Sequence, residues 1–188
     1  KYYGTITDGI GFTRSLEEQG WLIKDKKITM VGAGGASTAI MVQLALDGVK
    51  EIIVYNRTMR TEFQEIINNT IIETGCTITL KSLSDLESLK KDMHSSYLFI
   101  NTTGVGMEPM LERSVVPDAS YFKPDLKVAD IIYQPAVTKM LRLAKEAGCA
   151  TMNGELMLLY QGVESFKIWT GQEMPINEVK KVLGIEVK

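Results

Sequence analysis

Short apolar runs alternate with segments of helical periodicity along the whole chain. The runs are rich in Ile, Val and Phe, which is typical of strands buried on both faces. The segments between them place apolar residues three and four positions apart, and several end at glycine, which favours helices. We expect strands at residues 27–32, 51–56, 77–80, 97–101, 127–132 and 150–152, and helices within 5–20 and at 37–49, 61–75, 84–93, 137–148, 155–171 and 176–183.

This alternation predicts the α/β class, with a Rossmann-like, doubly wound parallel sheet of six strands and helices on both faces. The expected strand order is 3-2-1-4-5-6. Right-handed crossovers then bring the carboxyl ends of all strands to one edge, where ligands bind. Ser84 is expected to cap the polar helix that follows it. Residues 102–124 lack periodicity and are expected to form a long loop.

The clearest candidate site is the glycine loop "VGAGGAS" at residues 31–37, between the first strand and its helix. Gly32 permits a tight turn, and Gly34 lets the backbone approach a pyrophosphate. Amides at the start of the helix then face the anion, helped by the helix dipole. Ser37 replaces the usual third glycine. A glycine turn of purely structural purpose is the alternative, but a strand before and a helix after favour a dinucleotide site over Gly32, Ala33, Gly34, Gly35 and Ala36.

The end of the second strand selects the cofactor. NAD-binding folds carry an acid there that holds the ribose hydroxyls, whereas "YNRTMR" has no acid before Glu62. Arg57 and Arg60 bring two cations, and a guanidinium can bind a phosphate through two hydrogen bonds. A solvated basic turn is the alternative. With the glycine loop nearby, we predict a 2′-phosphate pocket for NADP, formed by Asn56, Arg57, Thr58 and Arg60.

Composition narrows the class of protein. The formal net charge of the 188 residues is −2, without a basic block, which argues against sequence-independent nucleic-acid binding. No apolar run reaches membrane-spanning length. Cys76 and Cys149 lie far apart and are expected to be free thiols of a cytoplasmic protein. The single histidine, His94, is expected at the surface, and with no Cys-x-x-Cys pair a zinc site is not expected.

The motifs together resemble one family, the shikimate dehydrogenases, including the quinate/shikimate branch. The resemblance covers essentially the whole chain and depends on six motifs in sequence. It implies a hinge helix region at residues 1–24, an NAD(P)-binding Rossmann domain at residues 25–188, and an N-terminal catalytic domain outside this sequence. The motifs are "TDGIGF" (7–12), "GAGGAS" (32–37), "NRT" (56–58), "NTTGVGM" (101–107), "DIIYQP" (130–135) and "NGELMLLYQG" (153–162).

The resemblance also implies roles for single residues. Asp8 would face the substrate and pair with a catalytic lysine of the N-terminal domain; its structural alternative is a turn former and helix cap. Tyr133 and Gln161 would bind the substrate. At the nicotinamide end, Thr102 and Thr103 would line the ribose, Ile131 would contact the cofactor, and the backbone of Gly154 would approach the carboxamide.

Three positions depart from the family pattern. Glu155 stands where the family has an apolar residue, and Leu156 stands where it usually has a second glycine, which puts close cofactor approach at that turn in question. Arg60 is displaced by one place from the family's second phosphate-binding arginine. Because the NAD-using branch carries an acid near Arg60, the arginine still favours NADP.

The implied reaction is reversible hydride transfer between NADPH and 3-dehydroshikimate, which gives shikimate. Quinate as a second substrate and NAD as a second cofactor stay open, as does the oligomeric state, with a homodimer among the options. Another oxidoreductase on the same cofactor domain, such as a methylene-tetrahydrofolate dehydrogenase, would not account for "TDGIGF" together with Gln161. A dinucleotide-binding module without catalysis is the alternative from another class.

Overall fold

The computed structural model describes residues 4–185, which form a six-stranded, all-parallel sheet flanked by helices. Residues 1–3 and 186–188, the outer ends of the two predicted units, lie outside the described residues. The strands are β1 (Lys27–Val31), β2 (Glu51–Asn56), β3 (Thr77–Ser82), β4 (Leu98–Asn101), β5 (Lys127–Asp130) and β6 (Ala150–Met152), and the helices are α1 (Asp8–Glu18), α2 (Gly35–Leu46), α3 (Thr61–Thr74), α4 (Leu86–Ser95), α5 (Lys139–Glu146), α6 (Glu155–Thr170) and α7 (Ile176–Leu183).

The strand order is β3-β2-β1-β4-β5-β6, as predicted. Strand β1 is central, and Ile28 pairs with Ile52 of β2 on one side and with Leu98 of β4 on the other. The order reverses between β1 and β4, so a crevice opens beyond the carboxyl ends of these two strands.

Side chains that alternate along the central strands form two separate cores. Met30 and Ile52 contribute to a core under α1, α2, α3 and part of α6. Ile53 and Phe99 point to the opposite face, where α4 and α5 cover them. The strands are therefore apolar on both faces, and helices lie on both faces of the sheet, as the continuous apolar runs predicted.

Helix α1 packs closely on two others. A Cβ built on Gly9 would lie 2.5 Å from the carbonyl oxygen of Ala39 in α2, and one on Gly11 would lie 2.6 Å from the backbone nitrogen of Gln161 in α6. At its carboxyl end, the Glu18 carboxylate accepts hydrogen bonds from Lys180 of α7, at 2.6 Å, and from the Tyr160 hydroxyl. Helix α1 is thus joined to the helices that begin at the glycine loop and at Gly154.

A few local predictions differ from the structure. The cap of α4 is Asp85, whose carboxylate accepts from the Ser88 amide at 3.0 Å, so the prediction of a Ser84 cap was wrong. Strand β5 ends at Asp130, two residues early, because the Asp130 carboxylate accepts from the Ile132 amide and turns the chain. Strand β3 continues to Ser82, which pairs with Asn56.

Other predictions about single residues are confirmed. Cys76 and Cys149 are buried free thiols. His94 is exposed near the end of α4, and its ring lies 3.2 Å from the carbonyl oxygen of Ser120.

Within residues 4–185, no helix has both the length and the hydropathy needed to cross a bilayer.

Candidate functional site

A cleft of ≈ 880 Å³ opens at the carboxyl edge of the sheet, beside the point where the strand order reverses. This is where open α/β sheets bind ligands, and the volume suits a cofactor-sized molecule. Three segments named in the sequence analysis line the cleft: the glycine loop, the turn after β2 and the loop after β4. Its lining includes Gly32, Ala33, Gly34, Asn56, Arg57, Arg60, Thr102 and Thr103.

The glycine loop leaves β1 in a conformation that only glycine adopts easily. Gly32 has a φ of +122°, and a Cβ there would overlap the Thr102 hydroxyl oxygen. The Ser37 hydroxyl donates to the Gly32 carbonyl at 2.6 Å and is fully buried. The serine that replaces the third glycine therefore closes the loop internally and leaves its outer surface free to face a ligand.

The start of α2 offers an anion site. Gly34 is the N-cap residue and provides no side-chain cap, so the first amides of α2 lack an intrahelical partner. A Cβ on Gly34 or Gly35 would meet no atom within 4 Å, so the approach to these amides is open. Ala36 is half-buried behind them. Open amides at the positive end of a helix dipole fit a pyrophosphate.

The turn after β2 brings two arginines to the same cleft. The Asn56 side-chain amide donates to the Thr58 carbonyl at 2.6 Å and fixes the turn, while Thr58 itself does not line the cleft. Arg57 and Arg60 are exposed. Within the described part of the chain, no carboxylate lies within 4.0 Å of either guanidinium, so both remain available to an anion.

The positions of these anion sites orient an extended dinucleotide. The pyrophosphate would lie at the start of α2, and the adenosine half would extend over β2 towards Arg57. The other half then extends over β4 and β5, where Thr102 and Thr103 line the cleft. The residues present therefore fit a dinucleotide such as NADP, whose second half would lie on the β4–β5 side.

The loop after β4 is held by side chains. The Thr102 hydroxyl donates to the Val31 carbonyl at 2.7 Å, so this side chain joins the loop to the end of β1. The Asn101 side-chain oxygen accepts from the Thr103 amide at 3.0 Å and from the Thr103 hydroxyl at 2.7 Å. Asn101, which was not among the predicted site residues, is completely buried and organises the loop.

Asp130 is a second buried residue that was not among the predicted site residues. It is 1% exposed, and its carboxylate accepts three hydrogen bonds, from the side chains of Asn101 and Thr138 and from the backbone amide of Ile132. Burial raises the pKa of Asp130 to about 6, against the opposing effect of these hydrogen bonds. The signals in the sequence were an acid at the end of an apolar strand and its place as the first residue of the motif "DIIYQP".

Gly154 has a steric role in the fold. A Cβ there would overlap the carbonyl group of Ile131, and the Gly154 amide donates to the Ile132 carbonyl at 3.0 Å. Leu156 is buried in an apolar cluster between α6 and α7 and does not line the cleft, and Glu155 is exposed. These two departures from the family pattern therefore lie outside the lining of the cleft.

The predicted substrate residues lie apart from the cofactor cleft. Asp8 is the first residue of α1; Thr7 occupies the N-cap position, so the alternative of Asp8 as the helix cap was wrong. Gln161 lies against Gly11, one helical turn after Asp8. Tyr133 follows the end of β5 and is half-exposed. The structure thus brings Asp8 and Gln161 to neighbouring helices, and it describes no hydrogen bond that links them to Tyr133.

Two family models match this sequence. One, described as shikimate / quinate 5-dehydrogenase, matches residues 15–140, and the other, described as the C-terminal domain of shikimate 5′-dehydrogenase, matches residues 154–183. The chain belongs to the shikimate/quinate 5-dehydrogenase family. The resemblance inferred from the six motifs is therefore confirmed.

Two relatives in this family are both named NADP(+) shikimate dehydrogenase. An NADP(+) shikimate dehydrogenase of Listeria innocua is 44% identical over 184 residues, which are 96% of this chain and 62% of that protein. One of Streptococcus equi subsp. zooepidemicus is 45% identical over 183 residues, with the same two shares. The chain therefore spans a little over three-fifths of the length of these members of the family.

Solved structures of the family share the fold. Shikimate 5-dehydrogenase of Listeria monocytogenes, in complex with shikimate and NAD, is 44% identical, with a TM-score of 0.91 over 96% of this chain and 63% of that one. A shikimate dehydrogenase in complex with NADP+ is 34% identical, with a TM-score of 0.83 over 98% of this chain and 63% of that one. The predicted Rossmann-like fold is confirmed.

Proposed function

We propose that this chain is the cofactor-binding part of an NADP-dependent shikimate dehydrogenase. The whole enzyme would transfer hydride reversibly between NADPH and 3-dehydroshikimate to give shikimate. Residues 25–188 would be the cofactor domain, and residues 1–24 the hinge segment that leads into it. The names of the relatives at 44% and 45% identity support this activity over a methylene-tetrahydrofolate dehydrogenase or a module without catalysis.

The observation that carries the choice of cofactor is the turn after β2. Arg57 and Arg60 line the cleft and form no ion pair in the described part of the chain, and β2 ends at Asn56, whereas an acid at this position would favour the free ribose hydroxyls of NAD. Asn56 and Thr58 shape the turn that presents the arginines. The turn supports NADP because a guanidinium pair supplies bidentate donors and positive charge to a 2′-phosphate.

Each part of the cleft has a separate task in this proposal. The glycine loop, at Gly32 to Ala36, holds the pyrophosphate with backbone amides. Thr102, Thr103, Ile131 and Gly154 shape the nicotinamide half. When bound, the nicotinamide supplies the hydride chemistry.

The substrate side needs one proton transfer. Asp8 lies at the start of α1 and would pair with a lysine from a part of the enzyme outside this sequence. Its negative charge would hold and tune that ammonium group, so that the pair exchanges the proton of the substrate hydroxyl. Tyr133 and Gln161 would orient the substrate, which is a small molecule.

Quinate oxidation with NAD is the second candidate. It is supported by the quinate dehydrogenase of Corynebacterium glutamicum in complex with NAD, which is 26% identical with a TM-score of 0.83 over 96% of this chain. The two unpaired arginines of the turn favour NADP over this candidate.

The proposal is tested in two steps. NADPH and NADH are titrated into this chain, which is expected to prefer NADPH. A longer protein that contains the chain and its N-terminal domain is then assayed for NADPH oxidation with 3-dehydroshikimate. Preference for NADH, or activity on quinate alone, would contradict the proposal.

A further inference from the structure

Asp130 joins three segments of the chain through hydrogen bonds of its two carboxylate oxygens. Oδ1 accepts from the Asn101 side-chain amide and from the Ile132 backbone amide, each at 3.1 Å. Oδ2 accepts from the Thr138 hydroxyl at 2.8 Å. All three donors are neutral, and in the described part of the chain no cation lies within 4.0 Å of this carboxylate.

Each of these donors holds a different part of the β4–β5 side of the cleft. Asn101 fixes the amide and hydroxyl of Thr103, in the loop that lines the cleft. The Ile132 carbonyl accepts a hydrogen bond from the Gly154 amide, at 3.0 Å, and so fixes the turn before α6. A single carboxylate therefore anchors the loop after β4 and, through Ile132, the turn before α6.

The third donor connects Asp130 to the neighbouring helix and loop. The Thr138 hydroxyl also accepts from the Leu141 amide at 3.3 Å and caps α5. A Cβ built on Gly106 would lie 3.2 Å from the methyl group of Thr138, so the same side chain fits against Gly106 in the loop after β4. Lys139, the next residue, lines the cleft.

This arrangement is costly for the folded chain. Taking a carboxylate out of water without a cation beside it is unfavourable, and a hydroxyl or amide could supply hydrogen bonds here without burying a charge. An ionised carboxylate, however, only accepts hydrogen bonds and can serve all three donors at once. The carboxylate of Asp130 is therefore suited to a position where three hydrogen-bond donors are held by one side chain.

We propose that Asp130 is a positioning residue that aligns the nicotinamide half of the cofactor site by fixing Asn101, Ile132 and Thr138 together. The proposal depends on the proposed function, because it takes the β4–β5 side of the cleft as the place of the nicotinamide. Asp130 does not line the cleft itself and acts through Thr103 and the Gly154 turn.

The test compares Asp130→Asn with Asp92→Asn. Asp92 is 7% exposed and does not line the cleft; it lies in α4, where it accepts from Tyr55 and two lysines. Asparagine keeps the shape of aspartate and offers one acceptor oxygen in place of two at both sites, but only at Asp130 do the hydrogen bonds fix a loop that lines the cleft. Affinity for NADPH and for 2′,5′-ADP, which lacks the nicotinamide half, is measured on this chain, together with the melting temperature.

We expect Asp130→Asn to weaken NADPH binding and leave 2′,5′-ADP binding unchanged. Asp92→Asn should leave the binding of both ligands unchanged, although the melting temperatures of the two variants fall by a similar amount. In the longer enzyme, kcat of Asp130→Asn should fall about 10- to 100-fold at saturating cofactor, because misplacement of reacting groups by about 1 Å has effects of that size. Equal loss of both ligands, or kinetics equal to those of Asp92→Asn, would overturn the proposal.

A second variant covers the case in which Asp130→Asn does not fold. Thr138→Val keeps the shape of the side chain and removes one of the three hydrogen bonds, so it should show the same selective loss to a smaller degree. Unchanged NADPH binding in this variant would also contradict the proposal. Since the binding comparison needs no turnover, it still decides the role of Asp130 if the enzyme proves to act on a substrate other than 3-dehydroshikimate.

Discussion

Two aspartates are buried in this fold, Asp92 at 7% and Asp130 at 1% exposure, and their surroundings differ in kind. Asp92, on the α4 face of the sheet, accepts hydrogen bonds from Lys27, Lys81 and the Tyr55 hydroxyl. Asp130, at the carboxyl edge, accepts only from neutral groups. The first carboxylate is neutralised within the scaffold, and the second remains an unpaired charge beside the cleft.

The pKa values follow this difference. Burial alone would raise the pKa of Asp92, but hydrogen bonds from Lys81, Tyr55 and Lys27 outweigh it, and the pKa is lowered. Burial dominates at Asp130 and raises its pKa to about 6. Buried groups that have a shifted pKa and no partner of opposite charge are enriched at functional sites. At such sites a loop arrangement can be kept even though it lowers the stability of the folded chain.

Asp8 extends the comparison to an aspartate that would act directly on the reaction. In the longer enzyme, we expect Asp8→Asn to lower turnover by about 10²- to 10⁴-fold, the usual contribution of general acid–base catalysis, with NADP affinity unchanged. Because Asp8 is the first residue of α1, loss of its charge should also lower helix stability slightly. A pH series of turnover, NADP titration and melting temperature separate the two effects.

If Asp8 acts in catalysis, the pH–rate profile of Asp8→Asn should shift, because the charge that tunes the lysine has been removed. A normal profile with full activity and only a small loss of melting temperature would leave Asp8 as a helix-dipole residue.

The two buried aspartates should respond to pH with opposite signs. A carboxyl whose pKa is raised on folding stabilises the folded chain below its unfolded pKa, and this stability is lost as pH rises through the folded value. For Asp130, a rise from 3.8 to about 6 corresponds to roughly 3 kcal/mol, lost between pH 4 and 6. For Asp92, whose pKa is lowered, stability is present above pH 4 and lost as pH falls below it.

Urea unfolding of this chain from pH 3 to 8 measures both effects. Asp130→Asn should remove the loss of unfolding free energy between about pH 4 and 6, and Asp92→Asn should remove the loss at more acidic pH. The same pH dependence in both variants would mean that the difference in surroundings does not control their charge.

Arg57→Ala tests the unpaired charges on the other side of the cleft. A hydrogen bond to a charged group is worth about 1.5–3 kcal/mol, so NADP affinity should fall about 10- to 150-fold, and NAD affinity should change little. Both cofactors are titrated into wild type and variant. Equal losses for the two cofactors would assign Arg57 a structural role.

The sequence predicted the scaffold well because buried parallel strands have a distinct composition. Ile28, Ile52 and Leu98 lie in neighbouring strands and belong to continuous apolar runs. Because these runs indicated the strands and glycines indicated several helix ends, the order of the elements and the parallel sheet could be predicted. The α4 cap was misplaced because Ser84 and Asp85 are both good capping residues, and only the tertiary position of the helix selects between them.

The site was only partly predictable. The glycine loop and the arginine turn are local motifs, and both line the cleft as expected. Asn101 and Asp130 open two of the quoted motifs, but no role was predicted for either, because their hydrogen bond joins strand ends that lie 29 residues apart in sequence. Gly154 was assigned to cofactor approach, and the structure adds a steric reason, the carbonyl of Ile131, that no local pattern could have indicated.

The smallest predicted effect concerns a matched pair of helical glycines. Gly162 in α6 has open space where a Cβ would be, so Gly162→Ala should stabilise the chain by about 0.5–1 kcal/mol, because alanine loses less backbone entropy in a helix. Gly11 in α1 faces Gln161 at a distance that leaves no room for a Cβ, so Gly11→Ala should destabilise the chain despite the same gain in helix propensity. Urea unfolding measures both variants, and stabilisation by Gly11→Ala would show that α1 is not closely seated on α6. As with the two aspartates, the surroundings decide the effect of the same change, here with a smaller free energy. At Gly11 the close approach of α1 to α6 controls stability, whereas at Gly162 helix propensity controls it.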